Sequence, residues 1–77
     1  MTRDEIFQAI DLERQQQIVR WGNQHHDDYT WLAILIEEIG ESAQAALHDI
    51  FGGWAAGNLC HELIQAAAVI VAWLEDK

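Results

Sequence analysis

Three carboxylates lie within five residues in the most apolar part of this sequence, at Glu37, Glu38 and Glu41. Glu38 and Glu41 are three residues apart, so on a helix their Cβ atoms lie roughly 5–6 Å apart and could bind one divalent cation. A second apolar segment carries a single interior acid, Glu62, with Gln65 three residues later. Acids with apolar neighbours are costly to bury unless they are paired or bind a metal. The pattern therefore predicts one oxygen-rich metal site where two helices meet; the alternative is a solvated acidic stripe.

The two segments that carry these acids both have helical periodicity. The first is predicted to be a helix that is capped by Asp28 or Thr30 and ends near residues 48–49. At about 100° per residue, one of its faces is entirely apolar, and this face comprises Leu32, Leu35, Ile36, Ile39, Ala43, Ala46, Leu47 and Ile50. The second covers residues 58–74, where Cys60 lies opposite Glu62 and is expected to be a small core residue.

An earlier helix is predicted from Thr2 to about Arg20, with Thr2 as its N-cap and Asp4 and Glu5 in its first turn. Arg14 and Arg20 are the only cations in the interior of the chain. They are candidates for contact with a phosphate group, and the alternative is that each belongs to an ordinary exposed helix surface.

A polar loop, residues 21–30, separates the first two predicted helices. Its His25-His26-Asp27-Asp28 run suggests a metal site, but adjacent residues rarely chelate one ion well, so zinc binding here is disfavoured. The indole of Trp21, at the start of the loop, is placed to stack on a base.

The second connection, residues 51–57, contains three glycines that permit the helix to break. We expect Phe51 and Trp54 to pack this turn against the helices. Asn58 follows it and is a candidate either to cap the third helix or to enter the site.

Composition narrows the class of protein. Seventy-seven residues, 51% of them hydrophobic and none of them proline, are typical of one small all-α domain over residues 1–77. No apolar run is long enough to suggest a membrane span, and a single cysteine without a secretion signal fits the cytoplasm. The net charge of −9 argues against nucleic-acid binding. An enzyme that acts on polyphosphates but has so few basic side chains would depend on metal ions to neutralise its substrate.

The order and spacing of these glutamates resemble a known pair of sequence motifs. Glu37-Glu38-x-x-Glu41 and the later Glu62-x-x-Gln65 resemble the Glu-Glu-x-x-Glu and Glu-x-x-Asp motifs of the MazG-like all-α nucleoside triphosphate pyrophosphohydrolases. The resemblance runs from about Glu13 to Glu75. The chain differs from the family pattern at Gln65, where the family has aspartate, and it lacks the Lys/Arg-bearing segment that follows the second motif in longer members.

Apolar surface on more than one side of the helices suggests self-association into an oligomeric helical bundle, a dimer or a dimer of dimers. The resemblance implies an all-α chain of three helices. It also implies a hydrolase acting on acid anhydrides, which converts an NTP or dNTP and water to the monophosphate and pyrophosphate, as in house-cleaning of non-standard nucleotides. Mg²⁺, or Mn²⁺ in its place, would be bound by Glu38, Glu41 and Glu62. Gln65 would contribute a neutral oxygen, and Glu37 would polarise water or orient a neighbouring residue. Trp21, Arg14, Arg20 and Asn58 are the candidate substrate-binding residues.

Other interpretations of the same residues remain open. The chain could be a non-catalytic nucleotide-binding module of this fold or a structural helical oligomer. A di-iron carboxylate bundle is disfavoured because it needs Glu-x-x-His pairs. Glu38, Glu41 and Glu62 are instead followed three residues later by glutamate or glutamine.

Overall fold

The computed structural model describes all 77 residues and contains three helices: α1 (Arg3–Trp21), α2 (Asp28–Phe51) and α3 (Leu59–Glu75). The predicted all-α class, with three helices in this order, is therefore confirmed. None of the helices combines the length and the hydrophobicity needed to cross a membrane.

The helix starts follow from local side-chain hydrogen bonds. At α1 the Thr2 hydroxyl accepts from the Glu5 amide (3.2 Å) and the Glu5 carboxylate accepts from the Thr2 amide (3.1 Å), which is a capping box and confirms Thr2 as the N-cap. At α2 the prediction of Asp28 or Thr30 is wrong. Asp27 is the cap, and its carboxylate accepts from the Thr30 amide at 2.7 Å, because Asp27 is the last residue with extended backbone before the helix.

α3 is the central helix of the fold. It packs against both α1 and α2, whereas α1 and α2 do not pack directly against each other. The short connection at residues 52–58 makes α2 and α3 a helical hairpin in which α3 runs back along α2. The space between α1 and α2, with α3 as its floor, is left open as a cleft.

Small side chains dominate the contact between α2 and α3. The core forms around Trp31, Val69 and Ala72, with Ile34, Leu35 and Trp73 packed against it. Further along the hairpin the buried residues are Ser42, Ala45 and Ala66, and the Ser42 hydroxyl donates to the Glu38 carbonyl at 3.1 Å. Small residues at these positions let the two helix backbones approach closely, but they leave little large apolar surface inside one chain.

Most of the apolar face predicted on α2 does not pack against α3. Leu32, Ile36, Ile39, Leu47 and Ile50 remain exposed, while Trp31, Ser42 and Ala45 are buried. The reason is that α2 is apolar around more than half of its circumference, so α3 covers only one of two apolar arcs.

Two predictions about smaller features are wrong. Cys60 is exposed rather than in the core, because it lies on the outer arc of α3. Phe51 and Trp54 do not pack the turn closely against the helices, since both are mostly exposed and only the Trp54 ring meets α2, edge-on to His48 with the ring centroids 5.7 Å apart. The turn is held instead by His48, whose Nδ1 accepts from the amide of the buried Ala55 at 3.0 Å.

Candidate functional site

The hairpin brings three of the predicted metal ligands together. Glu38 and Glu41 come from α2 and Glu62 comes from α3, and a carboxylate oxygen of each lies within 4.8 Å of the others. Glu38 and Glu62 are half-buried at the edge of the helix–helix contact, and Glu41 is exposed. We call these three residues the acidic cluster. Glu37, next in sequence to Glu38, is exposed beside the cluster and is not part of it.

The acidic cluster carries unfavourable charge. Burial raises the pKa of Glu38, and the charges of neighbouring carboxylates, chiefly Glu41 and Glu62, raise it further. Burial and then the hydrogen bond and charge of Glu62 raise the pKa of Glu41. None of the three salt bridges in the structure involves these carboxylates. Their repulsion is therefore not balanced by a cation from this chain.

Two oxygens of the acidic cluster have no hydrogen-bond partner. Glu38 Oε2 and Glu62 Oε2 are both removed from solvent, and no donor reaches either of them. A buried carboxylate oxygen without a donor is costly. A shared proton or a bound cation would remove that cost, so the donor set fits a hard divalent cation, which prefers oxygen ligands.

Beside the acidic cluster lies the cleft between α1 and α2, which encloses about 240 Å³. Glu38 belongs to both the cluster and the cleft wall, so the two are contiguous. The lining comes from all three helices and the loop after α1, and comprises Glu13, Arg14, Gln17, Trp21, Gly22, Gln24, Trp31, Ile34, Glu38, Gln65, Val69 and Ala72. The volume is slightly below the ~300–1,000 Å³ of usual small-molecule sites. A ligand of the usual size would therefore project from its open side.

The cleft receives some of the predicted substrate-binding residues and not others. Arg14 and Trp21 line it, and Arg14 Nε donates to a Glu75 carboxylate oxygen at 2.8 Å. Arg20 points elsewhere, with its guanidinium 4.9 Å from the centroid of the Trp21 ring. Asn58 is exposed at the start of α3, is not part of the lining, and makes no capping hydrogen bond through its side chain.

Gln65 lines the cleft together with Glu38. It is half-buried and follows Glu62 by one turn of α3. Gln65 therefore shares the cleft wall with Glu38, one member of the acidic cluster. Cation binding by Gln65 stays a prediction.

Asp76 holds the end of the cleft together, and nothing in the sequence pattern pointed to it. Its carboxylate accepts from Trp31 Nε1 (2.8 Å), lies 2.6 Å from His25 Nδ1, and accepts from the His26 amide (3.0 Å). The hydrogen bond from the Trp31 indole makes the largest contribution, and with the contacts of His25 and His26 it keeps the pKa of Asp76 far below its usual range. Asp76 thereby joins the end of α3 to the loop after α1 and to the cleft wall at Trp31.

A second contact reinforces this junction. The Asp28 carboxylate accepts from Lys77 Nζ (2.7 and 2.8 Å) and from Trp73 Nε1 (2.9 Å). The histidines and aspartates of residues 25–28 therefore act in caps and in loop anchoring, which are roles that need no metal.

Comparison of the chain with protein-family models, with curated proteins and with solved structures finds no match. The molecule itself is a small all-α protein of three packed helices, and any function must be argued from its own residues.

Proposed function

We propose that this protein is a Mg²⁺-dependent nucleoside triphosphate pyrophosphohydrolase of the MazG-like kind, acting on standard or non-standard NTPs or dNTPs. The observation that carries the proposal is the acidic cluster, with its two buried and unpartnered carboxylate oxygens, directly beside a cleft that contains an arginine and two tryptophans. The motif resemblance supports it independently, because the residues that match the family's metal ligands are the ones that converge.

Glu38, Glu41 and Glu62 would hold the cation, and Gln65 would add a neutral oxygen. When bound, Mg²⁺ or Mn²⁺ would neutralise phosphate oxygens and act as a Lewis acid on the scissile anhydride. The donor set favours these ions over zinc or copper because all the candidate ligand atoms are oxygens.

The remaining roles belong to residues at the cluster and on the cleft walls. Glu37 would accept the proton of the attacking water, whose oxygen bonds to phosphorus as the bond to the bridging oxygen breaks and pyrophosphate leaves. Trp21 would stack on the base. Arg14 would contact phosphate after exchanging its present partner, Glu75. Arg20 and Asn58 lie outside the cleft and have no place in this arrangement.

A non-catalytic nucleotide-binding module is the second candidate. Three observations favour it: Gln65 brings no charge, Arg14 is already paired with Glu75, and the cleft is small. Each of these features would reduce stabilisation of the charge that develops in the transition state more than it would reduce affinity for a nucleotide. A purely structural role for the helices would leave the acidic cluster without a function.

Product analysis separates these candidates. Canonical and modified nucleoside triphosphates would be incubated with the protein and Mg²⁺ or Mn²⁺, and the products identified by phosphorus NMR. We expect monophosphate and pyrophosphate, no reaction in EDTA, and loss of turnover in Glu41→Gln with unchanged helical circular dichroism. The matched control is Asp4→Asn, which removes an exposed carboxylate far from the cleft and should keep full activity.

Three results would contradict the proposal. Diphosphate and inorganic phosphate as products would mean that a different bond is cleaved. Nucleotide binding without any product would favour the binding module. Wild-type turnover in Glu41→Gln would show that the assigned ligand set is wrong.

A further inference from the structure

Arg14 is the only basic residue that lines the cleft, and its ion-pair partner comes from outside the cleft. The Arg14 side chain is only 11% exposed, and its Nε donates to a Glu75 carboxylate oxygen at 2.8 Å. Glu75 is the last residue of α3 and is not part of the cleft lining. A cation that is largely removed from water is costly without an anionic partner. Within this chain, Glu75 supplies the negative charge that Arg14 needs.

The contact between these two side chains is a weak form of the arginine–carboxylate pair. A single hydrogen bond joins them through Nε, and the two terminal nitrogens of the Arg14 guanidinium donate to no other residue. Arginine binds carboxylate or phosphate most strongly when two of its nitrogens donate at once. The Glu75 side chain is also 53% exposed, so its carboxylate can return to water with little loss of free energy.

A phosphate group that reaches Arg14 meets the charge of Glu75. The guanidinium carries one positive charge, which the Glu75 carboxylate already balances. A phosphate at the two terminal nitrogens is therefore repelled by Glu75 until that carboxylate moves away. Another carboxylate would gain little by replacing Glu75, whereas a polyphosphate offers more negative charge and more acceptor oxygens.

The two residues after Glu75 hold the end of α3 without its help. Asp76 accepts hydrogen bonds from Trp31 and from the loop after α1, and Lys77 donates to Asp28. These contacts fix the backbone at the end of α3. Glu75 can therefore leave its partner by rotation of its own side chain, while the cleft wall keeps its position.

We propose that Glu75 is an internal competitor of polyphosphate, whose carboxylate occupies the anion subsite at Arg14 and is displaced by a phosphate group that enters the cleft. The role of Glu75 rests on the proposed function only in that Arg14 contacts phosphate. The competition lowers the affinity of the cleft for every anion, and it does so most effectively for anions of low charge. Glu75 thereby favours polyphosphates over ligands that carry a single carboxylate.

Binding of inorganic pyrophosphate with Mg²⁺, measured by isothermal titration calorimetry, tests this competition. Glu75→Gln removes the charge but keeps a carbonyl oxygen for Arg14 Nε. We expect it to bind pyrophosphate about threefold to fivefold more tightly than the wild type, which is the strength of a partly exposed ion pair. The matched control, Asp11→Asn, removes the same charge from an exposed side chain about one turn before Arg14 and outside the cleft lining. It should bind pyrophosphate as the wild type does.

A double-mutant cycle shows whether the gain acts through Arg14. In an Arg14→Gln background, Glu75→Gln should change the affinity by less than about twofold, because no guanidinium remains for the two anions to share. Circular dichroism would verify that each variant keeps its helices.

Four results would overturn the proposal: no binding of pyrophosphate, equal or weaker binding by Glu75→Gln, the same gain in Asp11→Asn, or a gain that persists without Arg14. Weaker binding by Glu75→Gln would mean that Glu75 orients Arg14 for phosphate instead of competing with it. These results concern binding alone, whereas the proposed function is decided by the products of hydrolysis. The competition can therefore fail while hydrolysis is observed, and it can hold in a protein that binds nucleotides without cleaving them.

Discussion

Replacing Glu41 by glutamine should stabilise the metal-free protein at neutral pH, even though the same change should abolish activity. Carboxylate oxygens of Glu38, Glu41 and Glu62 lie within 4.8 Å of one another. At that distance two unit charges repel by about 0.9 kcal/mol in water. Removing the Glu41 charge eliminates two of the three repulsive pairs. Since Glu41 is exposed and salt screens it, about 1 kcal/mol of stabilisation should remain.

The direction of the pH dependence follows from the raised pKa values of Glu38 and Glu41. Between the ordinary carboxyl pKa of 4.5 and these raised values, the folded protein holds more protons than the unfolded chain. The wild type therefore loses stability as pH rises through this window. The advantage of Glu41→Gln should be largest near neutral pH and should disappear well below the ordinary carboxyl pKa, where the carboxyls are protonated in both states.

Thermal melts followed by circular dichroism, at one protein concentration, would measure this effect. In EDTA at neutral pH we expect Glu41→Gln to melt roughly 5 °C above the wild type, as about 1 kcal/mol implies for a domain of this size. Mg²⁺ should then raise the melting temperature of the wild type more than that of the variant. The Asp4→Asn control should show the same Mg²⁺-dependent rise as the wild type. A lower melting temperature for Glu41→Gln in EDTA would refute the charge-repulsion argument, and an equal Mg²⁺ shift would refute the ligand assignment.

Three further predictions test other parts of the structure. Gln65→Asp adds a like charge, so it should lower the melting temperature of the metal-free protein. In the absence of nucleotide, Mg²⁺ should then raise the melting temperature of the variant more than that of the wild type. An equal rise in both proteins would place Gln65 outside the site. Gly53→Ala should lower the urea midpoint, because its Cβ would lie 2.5 Å from His48 Cγ at a φ of +145°; an unchanged midpoint would contradict this geometry. Trp31→Phe removes the indole donor to Asp76, so it should raise the pKa of that carboxyl in an NMR titration; an unchanged pKa would show that the other contacts dominate.

The positions of the helices could be predicted from local chemistry. Thr2 and Glu5 form a capping box that their spacing encodes, and α2 ends at Gly52, whose φ of +86° suits glycine. The convergence of Glu38 and Glu62 was also predictable, since two apolar helices joined by a short turn must pack together. Each of these features depends on residues close in sequence or on one strong apolar pattern.

The rotation of α2 about its own axis could not be predicted. Its apolar residues cover two arcs, and periodicity does not say which arc meets α3. The structure buries Trp31, Ser42 and Ala45 and leaves Ile36 and Ile39 outside. Asp76 was missed for a related reason, since its partners in the loop after α1 are about fifty residues away and form no pattern with it.

The rotation of α2 about its own axis decides whether the acidic cluster can form. Glu38 reaches Glu62 only because the arc that meets α3 contains small side chains, which leave room for two carboxylates at the edge of the contact. If the arc of Ile36 and Ile39 faced α3 instead, helical geometry would carry Glu38 away from Glu62 by roughly 130°. The acidic cluster therefore requires that the large apolar residues of α2 face outward, where one chain cannot cover them.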